Sequence, residues 1–274
     1  MQGSLLSIII PTFNSEKTIA ECIKSILVQS FENIEVLIID GCSTDKTIEI
    51  IQQYESQLPI KYYIEKDEGI YDAMNKGIEK AGGSYLYFLG SDDTIYDQNV
   101  MLGIAELISQ GNEKVIYGNI KMNGRHEFIK DGTVYGGEFD LKRLLSHNIP
   151  HQGIFYPKSL FAKIGSFNPK YEVLADHDLN LRAFAEFTFK YVDHIIANFT
   201  LGGTSSLQKD EEFEKDKIKN FIKYYLNKIH RKEFIPLRFY VQQAAFNNGA
   251  KVSILTRLYL IFVYAKLKIQ SLYY

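Results

Sequence analysis

Tyr85-Leu-Tyr-Phe-Leu-Gly-Ser-Asp-Asp-Thr94 decides how the rest of this chain is read. The apolar run 85–89 stops abruptly at Gly90 and is followed by two adjacent carboxylates, Asp92 and Asp93. A short, aromatic-rich run bounded by glycines reads as a buried strand. Acids delivered at the carboxyl end of such a strand are the usual layout of a ligand site in an open α/β sheet. Neighbouring carboxylates repel, and a bound divalent cation with oxygen preference, Mg²⁺ or Mn²⁺, is one way to keep both ionised. The plainer alternative is a polar turn in which Asp92 or Asp93 caps the next helix.

Upstream of this stretch the chain repeats one unit. Residues 5–10 are a β-branched run ending at Pro11, a buried first strand followed by the loop Pro11-Thr-Phe-Asn14. Ser15 is placed to cap a helix whose apolar face is Ile19, Cys22, Ile23, Ile26 and Leu27. Residues 34–40 form a second strand that again ends in an acid, Asp40, and Ser43 or Thr44 caps a helix reaching about residue 57. A third strand over 60–64 and a helix over 71–81, closed by Gly82-Gly83, lead back to the opening stretch. Strand–helix units in series predict parallel pairing through right-handed crossovers, a Rossmann-like, mostly parallel sheet with helices on both faces. The strand ends then gather Pro11–Asn14, Asp40 and Asp92–Asp93 on one edge.

Beyond residue 100 the pattern predicts a helix over 100–108, a strand over 115–120 and a hairpin turn at Asn123-Gly124. It then gives irregular chain to about 137, a strand over 151–156 closed by Pro157, and a helix to Gly165. A helix over 175–187, a strand over 190–197, a flexible loop and candidate lid at 202–206, and a helix over 211–231 follow. The last of these is acidic in its first turn and basic in its last, as the helix dipole favours.

The chain has 274 residues, 46% hydrophobic and 23% charged, an ordinary globular balance. A net charge of −2 gives no global reason to expect a nucleic-acid partner. The two cysteines, Cys22 and Cys42, form no CxxC and no His/Cys cluster, which argues against a disulfide framework or zinc site and fits a reducing cytoplasm. No basic leader precedes the first apolar run, and no window approaches the roughly 20 apolar residues a membrane span takes.

Several motifs, in order, resemble family 2 glycosyltransferases, which have the GT-A fold. Ser7-Ile-Ile-Ile-Pro-Thr-Phe-Asn14 looks like the family's first strand and nucleotide loop, and Ile38-Ile-Asp-Gly-Cys-Ser-Thr-Asp45 like its second-strand motif. Gly69-Ile-Tyr-Asp-Ala-Met-Asn-Lys-Gly77 resembles the helix before the metal site. Gly90-Ser-Asp-Asp93 stands where the metal-binding acids occur, and Ala175-Asp-His-Asp-Leu-Asn-Leu-Arg182 where the catalytic base does. The resemblance covers about residues 7–206. It departs from the family at Gly90, where an acid is common, and at Ala175, where Glu is common.

The resemblance implies an inverting transferase that moves a sugar from a nucleoside diphosphate, a UDP-sugar, to a hydroxyl acceptor in cell-surface polysaccharide or glycolipid assembly. Pro11, Thr12, Phe13 and Asn14 would form the donor loop. Phe13 can stack on the base, worth about 1–3 kcal/mol by analogy with base–aromatic stacking, or be a plain surface aromatic. Asp40 would accept a base N–H, or cap the following turn. Asp92 would hold the ribose or the Mg²⁺ or Mn²⁺ ion and Asp93 the ion itself. Asp72 would face the donor, or pair with Lys76 four residues on. Asp176 would be the general base, with Asp178 as its competitor and helix capping as its alternative. His151 is either a hydrogen-bonding residue or a metal contact. Residues 1–206 would be the catalytic domain and 207–274 a helical C-terminal extension.

From Phe234 onward there is no Asp or Glu, while Arg238, Lys251, Arg257, Lys266 and Lys268 give the segment a charge of +5. Its apolar core, Leu258-Tyr-Leu-Ile-Phe-Val-Tyr-Ala265, is apolar all round. Such a segment fits a helix lying on an anionic membrane surface, and equally a helix packed on the catalytic domain or across a homodimer. The first would make the enzyme peripheral on the cytoplasmic membrane face, with a glycan or lipid-linked glycan acceptor. Two rival readings stay open: a nucleotidyltransferase on a similar sheet, and a non-catalytic nucleotide-sugar-binding or scaffold protein with a degenerate site. A dehydrogenase is disfavoured because Pro11-Thr-Phe-Asn14 replaces the glycine fingerprint.

Overall fold

β1 (Leu6–Thr12) is buried along its whole length, and so is β2 (Ile34–Asp40) beside it. α1 (Ile19–Leu27) and α2 (Thr47–Gln52) follow the two strands, and β3 (Ile60–Ile64), α3 (Ile70–Lys80) and β4 (Tyr85–Phe88) complete the repeat. β1 pairs in parallel with β2 and β4, and β2 with β3. Strands rich in β-branched residues with no polar face are what a sheet covered on both sides requires. This computed structural model describes residues 5–202, 210–228, 236–246 and 253–270.

After the two-residue β5 (Thr94–Ile95) come α4 (Val100–Ser109), β6 (Val115–Asn123), β7 (Thr133–Tyr135) and α5 (Leu141–Leu144). β8 (Ile154–Pro157), α6 (Lys158–Ile164), α7 (Ala175–Glu186) and β9 (Phe189–Thr200) follow. One nine-stranded sheet results, ordered β3-β2-β1-β4-β8-β6-β9-β5 with β7 attached to β6. β8 runs antiparallel to both β4 and β6, while β6 and β9 are parallel, so the sheet is mostly parallel. One face packs on α1 and α4 through Ile8, Ile10, Ile23 and Ile104. The other packs on α3, α6 and α7 through Ile9, Leu37, Met74, Phe161 and Leu179.

The chain departs from the pattern reading where backbone groups find partners that periodicity does not show. β1 runs on through Pro11 instead of stopping there. The residue pair Ile9 and Pro11 faces β4, and Leu89 N–H is the last to donate to Ile9, so the amide that proline lacks lies past the end of β4. α1 starts four residues after Ser15, whose carbonyl accepts from Thr18 and Ile19 N–H instead of its side chain capping the helix. Neither Ser43 nor Thr44 caps α2, which is only six residues long; both are engaged by Asp40 and Asn14. The Gly82 and Gly83 N–H groups donate to buried Glu35, which also accepts from Ser7, and so stitch α3 to the sheet. Asn123-Gly124 is followed by a loop to Gly132 before β7, not by a two-residue turn. His151–Gly153 is a 3₁₀ turn and the strand begins only at Ile154. The candidate lid, 202–206, falls outside the described residues except for Gly202.

α8 (Glu211–Tyr225) packs on α7, α9 (Arg238–Phe246) on α8, and α10 (Ile254–Gln270) on α9. Phe221, Tyr225, Val241, Leu260 and Val263 join the core cluster under the sheet. α10 resolves the question of its all-round apolarity by using two faces differently. Leu260 and Val263 are buried, whereas Leu255, Leu258 and Phe262 are 80%, 60% and 64% exposed. Spacings of three and four residues put the exposed set on one stripe. Among the described residues no helix is long and apolar enough to cross a membrane.

Candidate active site

Along the carboxyl edge of the parallel strands lies a cleft of ≈ 1070 Å³. Its walls include the loop after β1, the start of α3, the acid turn after β4, the His151–Gln152 turn, the chain leading into α7 with its first turn, and the end of β9. Of the residues singled out in the sequence, Pro11, Thr12, Phe13, Asn14, Asp72, Asp92, Asp93 and Asp176 line it; Asp40 does not.

The acid turn owes its shape to Gly90. A Cβ built there would meet Asp93 Oδ2 at 2.6 Å and Asp92 Oδ1 at 2.9 Å, so both carboxylates occupy the space an acidic side chain would fill. A side chain at position 90 would therefore have to displace both carboxylates. Asp93 is 1% exposed; its Oδ2 accepts from Gln152 Nε2 at 2.8 Å and its Oδ1 from Thr200 N–H at 2.8 Å. Thr200 Oγ1 also donates to the Asp92 carbonyl, so the end of β9 ties down the turn. Burial, and then the neighbouring charge of Asp92, push Asp93 up to about 6. Beneath the turn, burial and the same two acids hold the Cys22 thiol well above its usual range, so it packs as a thiol.

Two converging carboxylates fit a hard divalent cation, which commonly takes one or two protein carboxylates and completes its shell with substrate phosphate and water. Among the described residues no three His, Cys, Asp or Glu side chains form a ready-made cage. The cleft is also lined by Asp45, Asp67, Glu68, Asp72 and Glu172, so a diphosphate entering alone would meet like charge.

Asp176 is the second residue of α7 and 6% exposed, with Oδ1 accepting from His177 N–H and Oδ2 3.4 Å from His151 Nδ1. Capping is not its role: the N-cap position is Leu174, and the Val173 and Leu174 N–H groups donate to Asp210 Oδ2. Asp210 Oδ1 takes Phe213 N–H in the first turn of α8, so one carboxylate serves both helices. Asp178 points the other way. It is 1% exposed, accepts from Arg182 Nε at 2.9 Å and from Tyr224 OH at 2.6 Å, and is absent from the cleft wall.

Phe13 stands 61% exposed at the cleft wall. The next residue, Asn14, has φ 48° and bridges to the β2 loop: its N–H donates to Ser43 Oγ and its Oδ1 accepts from Thr44 N–H. Asp40 is 0% exposed, with Oδ2 accepting from Ser43 N–H and Oδ1 from Ser43 Oγ. The structure therefore places Asp40 under the loop that carries Asn14, the turn-holding alternative. Asp72 keeps its pairing with Lys76 at 3.1 Å, accepts from Glu68 N–H and still borders the cleft.

Gln152, Thr200 and Asp210 went unnoticed in the sequence. Gln152 sits beside His151, but nothing local shows that it reaches a turn 59 residues earlier. Asp210 before Glu211-Glu212 is a legible cap; its second task, across 36 and 37 residues, is not.

Residues 7–156, which contain the nucleotide loop and the acid turn, match the family model described as glycosyl transferase family 2. The chain belongs to that family. It is a glycosyltransferase with the GT-A fold. A "PGL/p-HBAD biosynthesis glycosyltransferase" of Mycobacterium bovis is 37% identical over 222 residues, covering 78% of this chain and 84% of the relative. Chondroitin synthase of Escherichia coli is 28% identical over 217 residues, 77% of this chain and 31% of the synthase. S. aureus TarS in complex with UDP superimposes with a TM-score of 0.67 at 21% identity, covering 96% of this chain and 80% of that one. The Pyrobaculum calidifontis mannosyltransferase with GDP-Man and Mn²⁺ gives 0.56 at 12% identity, with 98% and 81% covered.

Proposed function

We propose that this glycosyltransferase moves a sugar from a UDP-sugar to a hydroxyl acceptor with inversion, Asp176 being the general base. One observation carries this: the Asp92–Asp93 pair and Asp176 line a single cleft whose wall also bears the exposed ring of Phe13. Phe13 stacks on the base, and the loop pinned by Asn14, Ser43 and Asp40 sets its position. Asp92 and Asp93 would hold a Mg²⁺ or Mn²⁺ ion, which would supply Lewis-acid stabilisation of charge on a leaving diphosphate. Asp176 takes the acceptor's proton as the new bond forms. The His177 N–H donates to its Oδ1 at 2.7 Å and holds the carboxylate at the start of α7. Asp210 keeps the start of α7 in place, and Gln152 with Thr200 keeps Asp93 aimed at the cleft. The complex of TarS with UDP supports the choice of donor, as Mn²⁺ in the mannosyltransferase complex supports the ion.

The acceptor is a lipid-linked glycan or glycolipid in bacterial envelope assembly. The mycobacterial relative's name supports this, and so does α10, whose exposed apolar stripe lies in an acid-free segment. Incubating the protein with Mn²⁺, bacterial lipid extract and UDP-glucose, UDP-galactose, UDP-N-acetylglucosamine or GDP-mannose in turn tests the reading. Nucleotide release should require the extract and one UDP-sugar; release from GDP-mannose alone would overturn the donor class. Phe262→Ser should cut sedimentation with anionic vesicles about tenfold, the scale of one largely exposed aromatic side chain. Unchanged sedimentation would leave α10 as a packing or dimer helix.

A further inference from the structure

Among the described residues, His151 Nε2 is the buried side-chain nitrogen or oxygen that has no hydrogen-bond partner. Buried polar groups are nearly always paired, and leaving one unpaired costs stability. The His151 side chain is 9% exposed, and the residue lines the cleft. Its place is rigid. Pro150 starts the 3₁₀ turn, Gly153 N–H donates to Pro150 O, and Gln152 beside it is anchored on Asp93. Nδ1 faces Asp176 Oδ2 at 3.4 Å. With Asp176 Oδ2 as the acceptor, Nδ1 carries the hydrogen, and Nε2 of that tautomer presents a lone pair.

We propose that His151 Nε2 accepts a hydrogen bond from a sugar hydroxyl held beside Asp176, making His151 a substrate-binding residue that reads hydroxyl position. This rests on the glycosyl-transfer reading of the cleft. Phosphate oxygens only accept, so they do not complement a lone pair. A Mg²⁺ or Mn²⁺ ion is disfavoured there because these cations prefer carboxylate, carbonyl and water oxygens to an imidazole nitrogen. A sugar ring offers hydroxyl donors on adjacent carbons, so it can serve Asp176 and His151 from one face. The hydroxyl belongs either to the transferred sugar or to the acceptor, and the measurement separates the two.

Two variants divide the ring's two nitrogens. His151→Asn keeps an N–H where Nδ1 meets Asp176 and loses the acceptor at Nε2. His151→Gln puts an amide oxygen near the Nε2 position. Affinities are measured by calorimetry with Mn²⁺ for UDP, for the UDP-sugar the wild type prefers, and for methyl glycosides added to the UDP complex. We expect His151→Asn to bind UDP like the wild type but the UDP-sugar about 3- to 10-fold more weakly, with His151→Gln restoring most of the loss. That result assigns the hydroxyl to the donor sugar. An unchanged UDP-sugar affinity with the same loss for methyl glycosides assigns it to the acceptor. Weakened binding of UDP itself would place the contact at the diphosphate or the ion and overturn the proposal. Unchanged affinity for all three probes in a folded His151→Asn protein would overturn it as well. A wild type that binds no nucleotide sugar would instead count against the proposed function.

Discussion

Asp92 and Asp93 are neighbours in a turn, whereas Asp176 and Asp178 are two residues apart in the first turn of α7. In the turn, the backbone bends around Gly90 and both carboxylates come to the same side. On the helix, two residues correspond to about 200° of rotation. Asp176 accordingly faces the cleft, and Asp178 is carried to the far side, against Arg182 and Tyr224. The chemistry of the four side chains is the same. Whether two acids make a ligand set or divide into a reacting and a structural one is decided by the backbone beneath them, and the division should be visible in mutants.

The largest effect expected is on rate, in Asp176→Asn. Loss of a general base typically costs 10²–10⁴-fold, while calorimetric affinity for Mn²⁺ and UDP and the melting temperature should stay close to wild type. A near-normal transfer rate in this variant would remove Asp176 from the chemistry. Asp178→Asn should do the reverse. It leaves the Arg182 guanidinium beside a neutral group in a buried contact, at a cost of about 3 kcal/mol or more, seen as a lowered denaturation midpoint. Its rate per folded molecule should be nearly unchanged; loss of rate without loss of stability would invert the comparison.

Asp93→Asn is next in size. With Asp93 raised from 3.8 to about 6, the folded state holds a proton that the unfolded chain releases. That contribution to stability is fully present below the unfolded value and is lost as pH rises through about 6. Without metal, Asp93→Asn should therefore be more stable than wild type at pH 7, by at most about 3 kcal/mol, and no more stable near pH 4. The Gln152 amide turns over to accept from the new side chain. In the same variant Mn²⁺-dependent UDP binding should disappear. A destabilised Asn variant at pH 7 would mean that the turn relies on the charge rather than bearing it. The smallest effect is Asp210→Ala, about 0.5–2 kcal/mol for a lost cap, accompanied by faster hydrogen exchange at both Val173 and Phe213. Change at Phe213 alone would show that α7 does not depend on it.

Some of this was legible in the chain because it depends on short-range order. The periodicity that repeats strand and helix through residue 81, the run 85–89 ending in acids, and the spacing that separates Asp176 from Asp178 all act within a turn or two. They suffice for the parallel half of the sheet and for the acids at its edge. Local patterns misjudged Ser15, Ser43 and Thr44, because a hydroxyl that can cap a helix can also bond a neighbouring loop. Pattern could not choose between them: Ser43 turns back to Asp40 three residues earlier, and both hydroxyl residues are engaged by Asn14 across separations of 29 and 30 that a window does not span. Asn123-Gly124 misled for a related reason, since the β6–β7 register is set by pairing of Ile120 with Tyr135 further along the strands.

The amino-acid sequence by itself determined the βα order, the buried strands and the acidic character of one sheet edge, since hydrophobic period and steric preference are properties of neighbouring residues. Only the tertiary structure decided which acids meet the cleft. It put Asp40 beneath a loop, gave Asp93 its partners Gln152 and Thr200, used Asp210 for two helices, and left His151 Nε2 without a partner at the wall. It also divided α10 into a buried and an exposed side. Each of these depends on desolvation and hydrogen bonding between segments tens of residues apart, quantities that exist only once the chain has closed on itself.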